Sequence, residues 1–348
     1  MANHESSPQF LWTIKMSRFT AMLFVWVLFS AASSLPSLAD EFYFASWNVE
    51  NLFDLEDDPS VELDEEYTPD GPRQWTAERL ERKLKNLAGV ISKLNGGRGP
   101  DVLGLCEVEN RKMVERLVEK LAPLGRKYEI VHKDSPSDRG IDCALVFDAD
   151  VFGLADSKFH FVDAERTRDI VETRLRRNAA DLFVFVNHWP SRNNDESQRI
   201  TAATVLRKRL DEILAADAKA DIVMIGDFND EPENVSLKDH LRAAVSPENL
   251  PPGALYDTTA PIRAANKGTF VWDDRWILID HIIISPGLLD DAGYHWKAQS
   301  SERIESPELL YQPSFPGSIP RPAGSYSSDG YQENGHSDHL AVGCVIVQ

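Results

Sequence analysis

The chain has 348 residues, with 37 Lys and Arg against 56 Asp and Glu and a formal net charge of −19. Tight non-specific binding to nucleic acid rests on cationic contacts to phosphates, so this charge argues against a protein that simply coats nucleic acid. It does not exclude an enzyme acting on nucleic acid, because bound divalent cations reverse the sign of a local field. No disulfide framework can be read from the three cysteines, which we expect to be buried apolar residues.

The first 39 residues have the composition of a secretory signal peptide. Lys15 and Arg18 precede an apolar run over residues 21–32, and Ser37 and Ala39 place small residues at a cleavage site. The run is shorter than the roughly 20 residues needed to span a bilayer, although an uncleaved membrane anchor is the alternative. We expect cleavage near Ala39 and a single domain over residues 40–348 that is secreted or periplasmic.

Short apolar runs alternate with longer amphipathic patterns along the rest of the chain, which predicts one α/β domain. Segments 76–94, 111–121 and 197–214 are predicted helices, the first with Thr76 as its N-cap. Segments 56–73 and 286–335 are predicted long loops. Strands, several of them apolar enough to be buried on both faces, are predicted at 42–47, 102–106, 129–132, 143–147, 182–187, 222–225, 277–284 and 341–347.

Polar residues stand at or beside the ends of six predicted strands. Any one of them has an ordinary explanation, because Asp, Asn and Gly favour turns and exposed acids are common. Six such positions over nearly the whole chain are harder to attribute to turns. They are Asn48, Glu107, Asn187-His188, Asp227-Phe228-Asn229, Asp280 and Asp338-His339.

The residue types in this set fit one kind of chemistry. Carboxylate and amide oxygens suit Mg²⁺, Mn²⁺ or Ca²⁺, and no Cys/His spacing of a structural zinc site is present. His188 and His339 supply groups that titrate near neutral pH, and Asp142 and Asp280 could orient them. The sequence has no Gly-x-Ser-x-Gly elbow and no P-loop lysine. These features favour metal-assisted attack by water over a covalent enzyme intermediate.

The motifs resemble those of the endonuclease/exonuclease/phosphatase superfamily, which has a deoxyribonuclease-like fold. They occur in the superfamily's order, and their form is most similar to a bacterial, often secreted, nuclease-like branch. The resemblance implies an α/β fold in which two mixed β-sheets pack as a sandwich with helices on the outer faces, giving four layers. The matching segments are Ser-Trp-Asn-Val-Glu-Asn-Leu-Phe (46–53), Glu107, Asn-His-Trp-Pro-Ser-Arg (187–192), Gly-Asp-Phe-Asn-Asp (226–230), Asp280 and Ser-Asp-His (337–339).

The resemblance also implies roles for individual residues. The implied metal ligands, for Mg²⁺ or Mn²⁺ with Ca²⁺ as a further candidate, are Asn48, Glu107 and Asp338. Asp227 and Asn229 would hold the attacking water and the scissile phosphate, or a second metal. The implied catalytic histidines, with the acids that orient them, are His339 with Asp280 and His188 with Asp142. Among the arginines, Arg139 and Arg192 are candidates to bind phosphate oxygens, and Arg174 is a weaker one.

Three functions remain open at this level. The first is a secreted metal-dependent phosphoesterase, which we expect to be a nuclease whose partner is nucleic acid. The second is an enzyme of the same fold acting on a phospholipid or inositol phosphate, which alone would bring a membrane into contact. The third is a non-catalytic binding module that keeps the fold. None of the sequence features implies a stable protein partner. Trp272 and Trp276 are read as base-stacking, membrane-contacting or core residues.

Overall fold

The computed structural model describes residues 39–348, except 60, 62, 165–166 and 328–329. The predicted signal peptide thus lies outside the described residues, apart from Ala39 at its end, and remains a prediction. Within the described part of the chain, no helix is long and apolar enough to cross a membrane.

The first sheet is mixed, and its central strand is the first strand of the domain. The strand β1 (Glu41–Leu52) pairs in parallel with β2 (Val102–Val108) and antiparallel with the last strand, β20 (Val342–Val347). The other strands of this sheet are β3 (Tyr128–His132), β4 (Asp142–Asp148), β14 (His295–Trp296) and β15 (Glu302–Arg303). Their order is β14-β20-β1-β2-β4-β3, with β15 also paired to β20.

The second sheet is mixed as well, with a parallel pair of strands at its centre. These are β7 (Ala180–His188) and β8 (Ile222–Asp227). The remaining strands are β5 (Gly153–His160), β6 (Ile170–Arg177), β9 (Ala243–Ala244), β10 (Leu255–Asp257) and β13 (Asp280–Ile284). Their order is β5-β6-β7-β8-β13-β10-β9.

Helices cover the outer face of each sheet. Ala77–Ile91 (α1) and Arg111–Lys120 (α3) pack on the first sheet, and Glu196–Ala216 (α4) packs on the second. Two short helices are α2 (Leu94–Gly97) and α5 (Ala260–Ala264), and a π-helical turn lies at Ser236–Leu241. Four 3₁₀ turns complete the set among the described residues, at Glu65–Tyr67, Ala122–Leu124, Pro286–Leu289 and Pro307–Leu309. The predicted cap is present, since Thr76 accepts a hydrogen bond from the Arg79 amide at 3.4 Å.

Alternation along the strands divides the apolar residues among three cores. In β4, Cys143 and Leu145 face the second sheet, whereas Ala144 and Val146 face the helices α1 and α3. The four layers therefore run helix, sheet, sheet, helix, as predicted. The three cysteines are free and buried.

The predicted segments differ from the structure in several places. Strands β5, β6, β9 and β10 were not predicted. The predicted strand 277–284 is interrupted, because β12 (Arg275–Ile277) forms a hairpin with β11 (Phe270–Trp272) before β13 begins. The predicted loop 286–335 also contains β14 and β15 and two small ribbons. These ribbons are β16 (Leu310–Tyr311) with β17 (Arg321–Pro322), and β18 (Tyr326–Ser327) with β19 (Gly330–Tyr331).

Candidate active site

Three predicted site residues lie side by side across the second sheet. His188 ends β7, Asp227 ends β8, and Asp280 begins the antiparallel strand β13. The register pairs His188 with Asp227 and Asp227 with Asp280. This shared edge explains why residues so far apart in sequence meet in space.

The first sheet contributes two strands that bulge at the same edge. The pairing of β1 with β2 is irregular between Asn48 and Leu52, and that of β2 with β4 is irregular at Glu107. Glu107 has a φ of 63°, a conformation that costs energy for a non-glycine residue and is often found at functional sites. The bulge aims Glu107 into the site, where its Oε2 accepts a hydrogen bond from the Asn51 amide at 2.9 Å.

His339 is fixed from several sides. Its Nδ1 lies 2.8 Å from Asp280 Oδ2, and its backbone oxygen accepts a hydrogen bond from Trp47 Nε1 at 3.0 Å. The Phe270 ring centre is 4.7 Å from the imidazole centre. Burial alone would lower the pKa of His339, but the charges of Asp280 and Asp227 outweigh it and raise that pKa well above the ordinary value. The imidazole is therefore held as a cation with Nε2 directed into the site.

Asp227 lies at the centre of the site and contacts four of its other residues. Its Oδ2 accepts a hydrogen bond from Asn48 Nδ2 at 3.0 Å and lies 3.6 Å from His188 Nε2 and 3.8 Å from His339 Nε2. Its Oδ1 accepts from the Asn229 amide at 2.9 Å. Burial raises the pKa of Asp227 to about 7, against the opposing charge of His339. A carboxylate with this pKa can accept a proton near neutral pH.

His188 has a different electrostatic environment from His339. Its Nε2 lies between Glu107 and Asp227, 3.8 Å from Glu107 Oε1, while its Nδ1 has no hydrogen-bond partner among the described residues. Burial, reinforced by the charges of Arg168 and Arg139, lowers the pKa of His188 well below the ordinary value. The two histidines therefore differ in charge, with His188 neutral and His339 protonated.

Three arginines also line the cavity that contains these residues. The cavity has a volume of about 320 Å³, and Arg139, Arg168 and Arg192 line it. Arg139 Nη1 is 3.8 Å from Glu107 Oε1, and Arg168 is 4% exposed. Burial opposes ionisation of Glu107, but Arg139 and Arg168 outweigh it and lower the pKa of Glu107. An anionic group entering this cavity would meet three guanidinium groups.

The donor set fits a divalent cation on one side of the cavity. Glu107 and Asp338 both line the cavity, and the pKa of Asp338 is raised to about 7 by burial and by the nearby charges of Glu50 and Glu107. Crowded carboxylates of this kind are the ligands that hard divalent cations prefer. One oxygen each from Asp227 and Asp280 and a nitrogen of His339 also lie within 4.8 Å of one another, but a protonated imidazole cannot bind a metal, which leaves Glu107 and Asp338 as the ligands on this side. Asn48 differs from the expectation, because it presents its amide nitrogen to Asp227 while its Oδ1 accepts from the Glu50 amide at 3.0 Å.

Two predicted residues do not reach the site. Asp142 was expected to orient His188, but it lies on the outer face of the first sheet, where its Oδ1 accepts from the Ser135 amide at 3.0 Å. Arg174 pairs with Asp181 at 3.5 Å on the second sheet and is not among the cavity residues. The correction for Asp142 follows from strand alternation, which sends Asp142 and Cys143 to opposite faces.

The two tryptophans also separate. Trp272 lines the active-site cavity, whereas Trp276 packs against the core of the first sheet with Arg303 over its ring at 5.0 Å. Of these two tryptophans, therefore, only Trp272 is placed to contact a molecule bound in the cavity.

Sequence reasoning missed two features. Arg168 precedes β6, an unpredicted strand, and no motif marks it. The second is a buried ion pair between Lys83 and Glu50 at 3.1 Å, each less than a tenth exposed. Lys83 also donates to Ser325 Oγ at 2.7 Å and to the His336 carbonyl at 2.6 Å. Helix α1 thus ties the β1 bulge to the segment that carries Asp338 and His339.

This fold and this site define a class of metal-dependent phosphoester hydrolases. The chain belongs to the endonuclease/exonuclease/phosphatase family, whose family model matches residues 43–348. Among curated proteins, none matches the chain significantly in sequence.

Solved structures share the fold at low identity. An endonuclease/exonuclease/phosphatase family protein from Bacteroides thetaiotaomicron is 16% identical, with 89% of this chain and 98% of that chain covered and a TM-score of 0.57. A mannosyl-6-phosphatase from the same organism is 16% identical over 88% of this chain and 100% of that one, with a TM-score of 0.55. TDP2 of D. rerio, complexed with a single-strand DNA product, is 15% identical over 88% and 98%, also with a TM-score of 0.55.

Proposed function

We propose that this protein is a secreted nuclease that hydrolyses phosphodiester bonds with Mg²⁺, by in-line attack of water. The observation that carries the proposal is the convergence of Asp227, His188, the His339–Asp280 pair and Glu107 at one end of the two sheets. Mn²⁺ is the alternative ion, and Ca²⁺ remains a further candidate.

The proposed division of labour follows the charges of the site. Asp227 accepts the proton of the attacking water, and Asn229 and Asn48 hold the Asp227 carboxylate in position through hydrogen bonds. The cationic His339 and the neutral His188 donate hydrogen bonds to the non-bridging phosphate oxygens, where charge increases in the transition state. When bound by Glu107 and Asp338, a divalent cation supplies charge neutralisation for the phosphate.

A nucleic-acid substrate is supported by the lining of the cavity. The chain is strongly acidic overall, yet Arg139, Arg168 and Arg192 converge at this cavity. Trp272 stands at the same cavity, where an aromatic ring can stack on a base regardless of sequence. The D. rerio TDP2 structure, which shares the fold, holds a single-strand DNA product.

A phosphorylated small molecule is the second candidate substrate. The cavity volume of about 320 Å³ lies in the range of small-molecule pockets. A mannosyl-6-phosphatase is among the proteins with this fold. A phospholipid or inositol phosphate belongs to the same alternative, and only a lipid substrate would bring the enzyme to a membrane.

The test is a substrate screen with purified protein over residues 40–348. Plasmid DNA, RNA, sphingomyelin, inositol phosphates and a bis-aryl phosphodiester are each incubated with Mg²⁺ or Mn²⁺, and then with excess EDTA. We expect DNA or RNA to be cleaved, and cleavage to stop in EDTA. Full activity in EDTA would contradict the metal requirement, and turnover of lipid or inositol phosphate alone would contradict the nuclease.

Two variants test the site itself. His339→Ala and Asp227→Ala should each remove most turnover without unfolding the protein, which circular dichroism checks. His160→Ala is the control, because His160 is also paired with a carboxylate, Glu172, but lies outside the cavity. Near-normal rates in either site variant would mean that the reaction takes place elsewhere.

Export is tested separately. The full chain is expressed in a bacterium, and the protein from the medium or periplasm is sequenced from its N-terminus. We expect a mature chain that begins at Asp40. Protein that stays in the cytoplasm with residues 1–39 attached would contradict secretion.

A further inference from the structure

A second cavity, outside the candidate active site, is strongly acidic. Its volume is about 810 Å³, and it shares no lining residue with the active-site cavity. Among its described lining residues there is no Lys or Arg. Lys112 approaches from outside, 3.6 Å from Asp54. The acidic residues that line the cavity are Asp54, Glu56, Asp57, Asp58, Glu109, Asp134, Asp138 and Asp142.

A buried histidine faces this cluster without a hydrogen bond at its Nε2. The His132 side chain is 2% exposed, and its Nε2 lies 3.7 Å from Asp142 Oδ2, too far for a hydrogen bond. Its Nδ1 lies 3.8 Å from Asp134 Oδ1. A buried polar atom without a partner costs free energy, so an imidazole placed in this way requires an explanation.

Asp142 is oriented so that one of its oxygens faces the histidine. The Ser135 amide and hydroxyl both donate to Asp142 Oδ1, which leaves Oδ2 directed at His132. Hydrogen bonds that fix a carboxylate in this way are typical of the residues around metal ligands. One ligand atom each from His132, Asp134 and Asp142 lies within 4.8 Å of the others.

We infer that His132, Asp134 and Asp142 bind a divalent transition-metal ion, of the Zn²⁺ or Mn²⁺ type, in a site separate from the active centre. The imidazole decides the class, because Ca²⁺ and Mg²⁺ favour all-oxygen sites whereas a mixed set of His and carboxylate suits Zn²⁺ and Mn²⁺. The ion gives His132 Nε2 and Asp142 Oδ2 a shared partner, and the acidic side chains around the cavity favour its entry.

The ion would fix a loop that reaches the active site. His132 and Asp134 stand at the start of this loop, and Asp142 stands at its end. Between them is Arg139, whose Nη2 donates to Asn51 Oδ1 at 2.5 Å beside Glu107. Metal binding thus holds both ends of the segment that places Arg139 at the active-site cavity.

The experiment counts bound metal and needs no substrate, so its outcome is independent of the proposed nuclease function. Protein carrying Glu107→Gln is dialysed against ZnCl₂ or MnCl₂ and desalted, and its metal content is measured by mass spectrometry. We expect His132→Gln and Asp134→Asn, each added to this background, to remove about one ion per chain. His160→Gln is the matched control and should remove none.

Asp134→Asn is the variant that should remain folded, because the Asp134 side chain is 81% exposed and its replacement leaves the core unchanged. Unchanged metal content in both His132→Gln and Asp134→Asn would overturn the site. Binding of Ca²⁺ with no binding of Zn²⁺ or Mn²⁺ would overturn the role of the imidazole. Hydrogen exchange supplies the location, since Zn²⁺ or Mn²⁺ should slow exchange in residues 133–141, and equal exchange with and without metal would also contradict the proposal.

Discussion

The Asp280 carboxylate holds the His339 imidazole through a 2.8 Å contact between Oδ2 and Nδ1, and both side chains are buried. Asp280→Asn keeps the shape of this pair but removes the charge that stabilises the cationic imidazole. We expect kcat to fall by about 10²- to 10³-fold, the range found when one donor to the charge that develops in the transition state is lost. Steady-state kinetics on the substrate identified by the screen measures this effect, with the melting curve as a check on folding. A loss under threefold would show that His339 does not act as a cation.

Arg168 is the buried arginine of the active-site cavity. Its direct effect on substrate binding can be distinguished from the long-range effect of removing one positive charge. Arg168→Gln removes a charge-assisted hydrogen-bond donor facing the substrate phosphate, which is worth about 1.5–3 kcal/mol. We therefore expect kcat/KM to fall by about 10- to 100-fold. Arg174→Gln is the control, because it also removes an arginine of the second sheet but one paired with Asp181 away from the cavity. Equal losses in the two variants would indicate a long-range charge effect instead.

Motifs at strand ends identified most of the residues that meet in the cavity, because neighbouring strands bring their ends to one edge. Asp142 shows where this reasoning fails. Its position beside a strand was predicted correctly. The face of the sheet to which its side chain points depends on the register of the strand, because successive side chains alternate between the two faces. The bulge at Glu107 shifts the register of the neighbouring strand pair, and the sequence does not reveal this shift. Arg168 could not be found at all, since its place in the site comes from packing and not from a local pattern.

At the level of the elements, the outer helix α4 is tied to the second sheet through Glu172. Arg209 of α4 donates to both Glu172 oxygens, at 2.7 and 2.8 Å, and His160 Nε2 lies 2.6 Å from Oε2. Burial alone would raise the pKa of Glu172, but these hydrogen bonds outweigh it and lower that pKa to about 2.

Glu172→Gln should lower the free energy of unfolding at pH 7 by about 1–3 kcal/mol. Because the pKa is depressed in the folded state, this contribution is complete above the ordinary value of 4.5 and disappears as the pH falls toward about 2. Urea unfolding of both proteins between pH 7 and pH 3 should therefore show the difference narrowing below pH 4.5. The exposed Glu119, changed to Gln, is the control. A difference that stays constant over this range would contradict an ionic origin.

The long amphipathic helices and the apolar strands were predictable, because their patterns reflect burial on one face or on both. The strands β5 and β6 were not, since β5 is an edge strand with mostly exposed side chains, and β6 carries Glu172 and arginines among its apolar residues. Short ribbons in residues 307–335 depend on contacts with the rest of the chain, so the composition of that segment predicted only a loop.

At the level of the whole molecule, the domain begins where β1 begins. Phe42 and Phe44 of this strand lie in the core between the sheets, and the Asp40 amide donates to the Gln348 carbonyl at 3.1 Å. A chain beginning at Asp40 should unfold in one cooperative transition. A chain beginning at Ser46 loses five of the 12 residues of the central strand, including Phe42 and Phe44, and should lack the near-ultraviolet circular dichroism of packed aromatic rings. Identical melting curves for the two chains would contradict a domain that requires β1.

The pairing of β1 with β20 joins the first strand of the domain to the last, and Trp47 donates to the carbonyl of His339 across 292 residues of sequence. During synthesis, β1 leaves the ribosome with one of its two neighbours not yet made. Contacts between such distant segments also make folding slow. A chain that stops before Ser337 lacks Asp338 and His339, so the site is incomplete until the last segment of the domain has been made. For a hydrolase of phosphate esters, this order of assembly delays the reaction until the whole domain has been synthesised.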